Sequence, residues 1–161
     1  MVVGLTSKLS TYAEELRFVA ASAKDFSSAA ILGSRTMWFH LRNLLSRLGV
    51  RGRAGDGRDE AFRVLLDLGF GPHEVWLRQK AGDLYTLSRT FVGQYHALPD
   101  LVLPAGGVRR IVDLGANIGM ASLAFHARFP RAHILAVEPL SSNFEMLCRN
   151  IGRIEEITPV R

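Results

Sequence analysis

Two carboxylates and a pair of glycines carry the chemistry this sequence could do. Asp113 follows the β-branched pair Ile111-Val112, and Glu138 follows the apolar run His133 to Val137. They stand 25 positions apart, enough for one right-handed crossover through a helix. Both acids are therefore expected at the carboxyl ends of neighbouring parallel strands, facing one crevice. Between them, Gly115 and Gly119 bracket a tight loop where backbone can approach a ligand for want of a Cβ. A dinucleotide cradle needs G-x-G-x-x-G. Counted from Gly115, the later glycine positions hold Asn117 and Met120, so a pyrophosphate is disfavoured. Glu138 is placed instead to accept hydrogen bonds from the two ribose hydroxyls of a nucleoside. Pro139 and Leu140 would wall its base, and the glycine loop would pass beneath the ligand's other end. Asp113 would favour an amine or sulfonium by charge. Each residue alone also fits an ordinary α/β crossover with caps and turns; the order of all of them favours a nucleoside site.

The elements that must hold these residues are legible from periodicity. Residues 111–112 read as the end of a buried strand, 118–129 as a helix stopped before Pro130, and 133–137 as a second buried strand. Ser141 or Ser142 is expected to cap a helix through Asn150, whose inner face carries Phe144, Leu147 and Ile151. Residues 157–161 open a third strand. Upstream, 62–68 and 74–79 are β-prone runs around the turn Gly69-Phe70-Gly71-Pro72. Asp83 is expected to cap a short helix, 84–91. At the front, apolar residues at helical spacing predict a helix over 7–23. Asp25 caps a second helix to about Leu48, stopped at Gly49. The architecture predicted is α/β: a partial Rossmann-like unit preceded by a β-hairpin and an N-terminal helical hairpin. Residues 1–48 form the helical region, 49–59 a Gly/Arg linker and 60–161 the main domain.

The 161 residues are 48% hydrophobic and 22% charged, a globular composition. The net charge of +5 lies in the first third, where residues 1–58 hold nine basic and four acidic side chains. A solvated helix face accounts for this charge, and so would an acidic membrane surface. The two N-terminal helices are expected to dock on the main domain or a second copy, with peripheral membrane contact as the other reading. No nucleic acid is expected, because the short Gly/Arg tract has no aromatic residue for base stacking. Cys148 is the sole cysteine, so an internal disulfide and a multi-cysteine metal site are excluded; the thiol is expected to be buried. His96 in its connector reads as structural. A secretory signal and a spanning apolar run are both lacking, which predicts a cytoplasmic protein.

Val112 through Gly119, V-D-L-G-A-N-I-G, resembles motif I of the class I S-adenosylmethionine-dependent methyltransferases, and more closely that of the FkbM family. A second stretch, Glu138, Pro139, Asn143, Phe144, Leu147 and Asn150, is similar to that family's E-P-x-x-x-N-F-x-x-L-x-x-N. The segment Asp83 to Tyr95 looks like its aspartate-to-tyrosine segment. The resemblance covers roughly residues 73–161. It implies S-adenosylmethionine as cofactor, held by Asp113, Gly115, Ala116, Asn117, Gly119, Glu138 and Pro139, with Asp83 and Tyr95 as weaker candidates for closing the site. It further implies O-methylation of a hydroxyl on a sugar or natural product. By the same resemblance the chain supplies strands 1, 2 and the start of 3, an N-terminal part that would bind the donor weakly and transfer nothing alone. No catalytic residue is named, since the acceptor pocket would come from later strands. Two other readings stand beside it. One is an NAD-linked oxidoreductase fragment, with Glu138 on a nicotinamide ribose. The other is an interaction module working through the N-terminal helices.

Overall fold

The computed structural model describes residues 3–47, 60–79, 82–92, 107–152 and 154–161. The predicted linker 49–59, Tyr95 and His96 lie outside them. The described residues form α1 (Val3–Ser22), α2 (Phe26–Arg47), β1 (Ala61–Asp67), β2 (Pro72–Arg78), α3 (Asp83–Phe91), β3 (Arg110–Leu114), α4 (Met120–Arg128), β4 (His133–Val137), α5 (Ser141–Ile151) and β5 (Ile157–Val160). They make a mixed α/β fold with two sheets, one an antiparallel ribbon and one parallel in the order β3-β4-β5. This arrangement is compatible with a partial Rossmann-like unit.

The ribbon is the hub. β1 and β2 pair from Ala61–Arg78 to Asp67–Pro72, and Val64, Leu66, Val75 and Leu77 are buried between layers. A two-stranded ribbon is marginal alone and leaves two open edges. Here both edges are occupied. On the β1 side, the turn between α1 and α2 acts as a short third strand. Ala23 bridges Leu66, the Lys24 amide donates to the Leu65 carbonyl at 3.0 Å, and the Leu65 amide donates to Ser28 Oγ at 2.7 Å. On the β2 side, one side chain replaces a strand. The Trp76 amide donates to Asn150 Oδ1 at 2.7 Å, and Asn150 Nδ2 donates back to the Trp76 carbonyl at 3.1 Å. The same Nδ2 reaches the Ile118 carbonyl at 2.8 Å. Fully buried Asn150 thus joins α5, the ribbon and the loop before α4.

Asp25 caps α2 as expected, with Oδ1 accepting from the Ser28 amide at 2.6 Å. Two other expected caps are corrected. The residue before α3 is Gly82 in a left-handed conformation, and Asp83 is instead buried in an ion pair with Arg78, Nε to Oδ2 2.9 Å. α5 begins after Leu140 without a side-chain cap, so Ser141 and Ser142 do not serve. The prediction of buried strands holds for one face and is corrected for the other. Ile134, Ala136 and Ile157 are buried under the helices, whereas Val112 (59%), Leu114 (77%), Leu135 and Val160 share the opposite face and are exposed. Cys148 is half-buried rather than buried.

Asp67 closes the ribbon turn. Its Oδ1 accepts from the Gly69 and Gly71 amides at 3.0 and 3.3 Å, and its Oδ2 meets Lys24 Nζ at 3.0 Å. The Gly69 amide first, then the Lys24 ammonium, hold its carboxyl below the ordinary carboxylate value. A depressed folded-state value stabilises the fold above the unfolded value and is lost as pH falls through the folded one. The stability difference between the protein and Asp67→Ala should therefore be present at neutral pH. It should shrink as acid protonates the aspartate, in urea titrations compared across pH. Asn150→Ala should cost about 3 kcal/mol or more in the same assay, because it strands buried backbone groups of Trp76 and Ile118.

Candidate functional site

β3 and β4 lie parallel with Asp113 beside Ala136 and Leu114 beside Val137. Asp113 and Glu138 consequently stand at the carboxyl ends of adjacent strands. The loop from Gly115 to Gly119 crosses those ends. Three of its positions have positive φ: Gly115 (78°), Asn117 (51°) and Gly119 (89°). The amides of Gly115 and Ala116 both donate to the Val137 carbonyl at 2.9 Å, and the Gly119 amide donates to the Ala116 carbonyl at 2.8 Å. These bonds press the loop onto β4 and bury the Ala116 side chain.

Glu138 completes the fastening. Its Oε2 accepts from the Asn117 amide at 2.8 Å and its Oε1 from the Leu140 amide at 2.8 Å. The carboxylate is nearly buried and faces the loop. It has about four acceptor directions, of which these two amides use two. Pro139 and Leu140, just beyond it, are exposed. Asp113 behaves differently. Its Oδ2 accepts from Ser122 Oγ, buried on α4, at 2.6 Å, so one carboxylate oxygen holds the helix against the strand.

Both glycines are favoured by their positive φ, and Gly119 is required by space as well. A Cβ on Gly119 would stand 2.9 Å from Leu147 Cδ1 and 3.5 Å from Ile151 Cγ2, so α5 packs on that position. A Cβ on Gly115 would meet nothing within 4 Å. Gly115 leaves open space beside the crevice, and Gly119 fills its space with core. One further candidate lies elsewhere: Asp83 is locked to Arg78, whose Nη2 also donates to Asn143 Oδ1 at 3.0 Å beside the start of α5.

Ser122, Arg78 and the full role of Asn150 were not assigned from sequence. Asn150 carried a signal: it is a polar residue set between Leu147 and Ile151 on the apolar stripe of α5. Arg78 gave none, since its partners come from two separate elements. Cavities occur at the junction of α1, α2 and α3, lined in part by Phe18, Leu32 and Leu87, and between α2 and the ribbon. Neither is lined by the glycine loop.

Comparisons with known proteins give two short, partial likenesses. The chain is 41% identical over 51 residues to the methyltransferase sdnD of Sordaria araneosa, covering 32% of this chain and 20% of that protein. It is 39% identical over 69 residues to the AMB antimetabolite synthetase AmbE of Pseudomonas aeruginosa, covering 43% of this chain and 3% of that protein. The chain thus spans a fifth or less of the length of these curated relatives. No family model and no solved structure matches it.

The glycine geometry makes a prediction in thermal or urea unfolding. Both Gly115→Ala and Gly119→Ala incur the left-handed penalty of about 1–2 kcal/mol. Gly119→Ala should cost about 1 kcal/mol more, because the buried Leu147 methyl must move aside.

Proposed function

We propose that this chain is the donor-binding part of a methyltransferase that uses S-adenosylmethionine. The observation that carries the reading is Glu138. Its carboxylate sits at the end of β4, turned onto the glycine loop and holding Asn117, with acceptor capacity remaining for two ribose hydroxyls. The partial likeness to a methyltransferase supports the same class. The residues present fit such a donor. Gly115 leaves room beside the loop, and exposed Pro139 and Leu140 offer an apolar wall for an adenine.

The loop also argues against the nicotinamide reading. A pyrophosphate needs free backbone amides. The amides of Gly115, Ala116, Asn117 and Gly119 are taken by protein acceptors, so the turn leaves a pyrophosphate only the Ile118 amide and the first turn of α4.

When bound, the donor supplies a methyl group on a sulfonium, open to in-line attack by an acceptor. The task of this chain is then to hold and align that group. Glu138 would fix the ribose, and the bonds of the loop to Val137 would keep its crest in place. Asp113, tied to Ser122, would contribute negative charge near the strand end. The acceptor we infer is a hydroxyl of a sugar or natural-product scaffold, in the manner of the FkbM family. The acceptor pocket and any base are assigned to no residue here.

Calorimetry with S-adenosylhomocysteine and NAD side by side tests the reading. S-adenosylhomocysteine should bind, and Glu138→Gln should weaken it about tenfold or more. Because Glu138 also clips the loop, an analogue without ribose hydroxyls separates the two roles. It should bind the unaltered protein more weakly than S-adenosylhomocysteine does, while Glu138→Gln should no longer distinguish the two. Tighter binding of NAD would overturn the assignment.

A further inference from the structure

Helix α2 carries a surface that no other described element covers. Its inward side is occupied. Ser28 bonds β1, and Leu32 and Thr36 are buried. Arg35 lays its guanidinium over the Phe62 ring at 4.2 Å and bonds Gln79. His40 Nε2 meets Glu15 Oε2 of α1 at 2.5 Å. On the other side, Phe26 (88%), Met37 (57%), Trp38 (47%) and Leu41 (50%) are exposed, together with Ala30 and Ser34. At helical geometry these six share an arc of about 120° and run about 22 Å along the axis. A water-facing helix side normally carries charged and polar residues. This one presents four large apolar side chains.

Charge says what covers it. From Phe26 to Arg47 the helix has three arginines, Arg35, Arg42 and Arg47, and no aspartate or glutamate. Arg42 is exposed and lies over the Trp38 ring, 5.0 Å from its centroid. On α1, Leu16 and Arg17 are exposed beside Glu14. A second copy laid on the same stripe would bring like charges of two α2 helices together. A negatively charged lipid surface opposes no charge on α2 and gives the apolar side chains somewhere to go. Tryptophan and arginine together suit the headgroup level. Among the described residues no helix is long and apolar enough to cross a membrane, so the helix would lie on the surface and not span it.

We propose that α2 is an interfacial anchor for anionic lipid bilayers. Phe26, Met37, Trp38 and Leu41 enter the acyl boundary, and Arg42 stays with the lipid phosphates. This surface is independent of the donor site.

Flotation of the full chain with phosphatidylcholine vesicles, with and without about 30% phosphatidylglycerol, tests the proposal. The chain should float with the anionic vesicles at least about tenfold more strongly than with neutral ones. The triple variant Met37→Ser, Trp38→Ser, Leu41→Ser should lose about tenfold in partition. Acyl-brominated lipid should quench the protein's tryptophan fluorescence, and Trp38→Phe should float but no longer show that quenching. Absence of flotation, unchanged flotation of the triple variant, or unquenched Trp38 overturns the proposal. A lipid-free dimer that the triple variant dissociates, with no vesicle binding, assigns the stripe to a second copy instead. Should the triple variant fail to fold, the quenching of Trp38 in the unaltered protein decides.

Discussion

The carboxamide of Asn150 is the constraint the other elements depend on. It is a single buried side chain that satisfies the amide and carbonyl of Trp76 and the carbonyl of Ile118 at once. A carboxamide carries the donor and acceptor of a peptide group, so it can stand where a neighbouring strand would. An apolar residue of similar volume would pack there but leave three backbone groups unpaired away from water. His73 adds a fourth link, with its Nε2 2.5 Å from the Asn150 carbonyl. The ribbon and the glycine loop are therefore both tied to α5 through one residue.

From that anchor the site follows. With Ile118 tied to α5, the glycine loop has one fixed end. Glu138 and Val137 fix the other at the end of β4. Within this frame the glycines divide their work: Gly119 lets α5 come close, and Gly115 keeps the crevice clear. The carboxylates divide theirs too. Asp113 serves the helix through Ser122, and Glu138 serves the loop while retaining capacity for a ligand.

Much of this was legible in the sequence. Among the described residues, the ribbon, the five helices and the three parallel strands fall close to where periodicity and turn residues place them. The relation of Asp113, Gly115 and Glu138 follows from their spacing alone. The misreadings share a cause. Asp83 looks like a cap because aspartate before a helix usually is one, but Arg78 from the adjacent strand outbids the local amides. Ile111-Val112 looks fully buried because both are β-branched, yet only one face of β3 meets helices and Val112 stands on the other. Local pattern reports which residues prefer a strand or a cap. It does not report which distant group will occupy the second side.

The ribbon's two seals come from opposite directions along the chain. Ser28 precedes Leu65 by 37 residues, while Asn150 follows Trp76 by 74. During synthesis the β1 margin can be covered as soon as β1 leaves the ribosome. On the β2 margin Asp83 can take the Arg78 amide early, but the Trp76 groups stay bare until α5 has been made. In that interval the nascent ribbon offers unpaired peptide groups beside a tryptophan, a template for joining strands of other chains. The stability of the finished fold and the hazard of its birth thus trace to the same long-range bond.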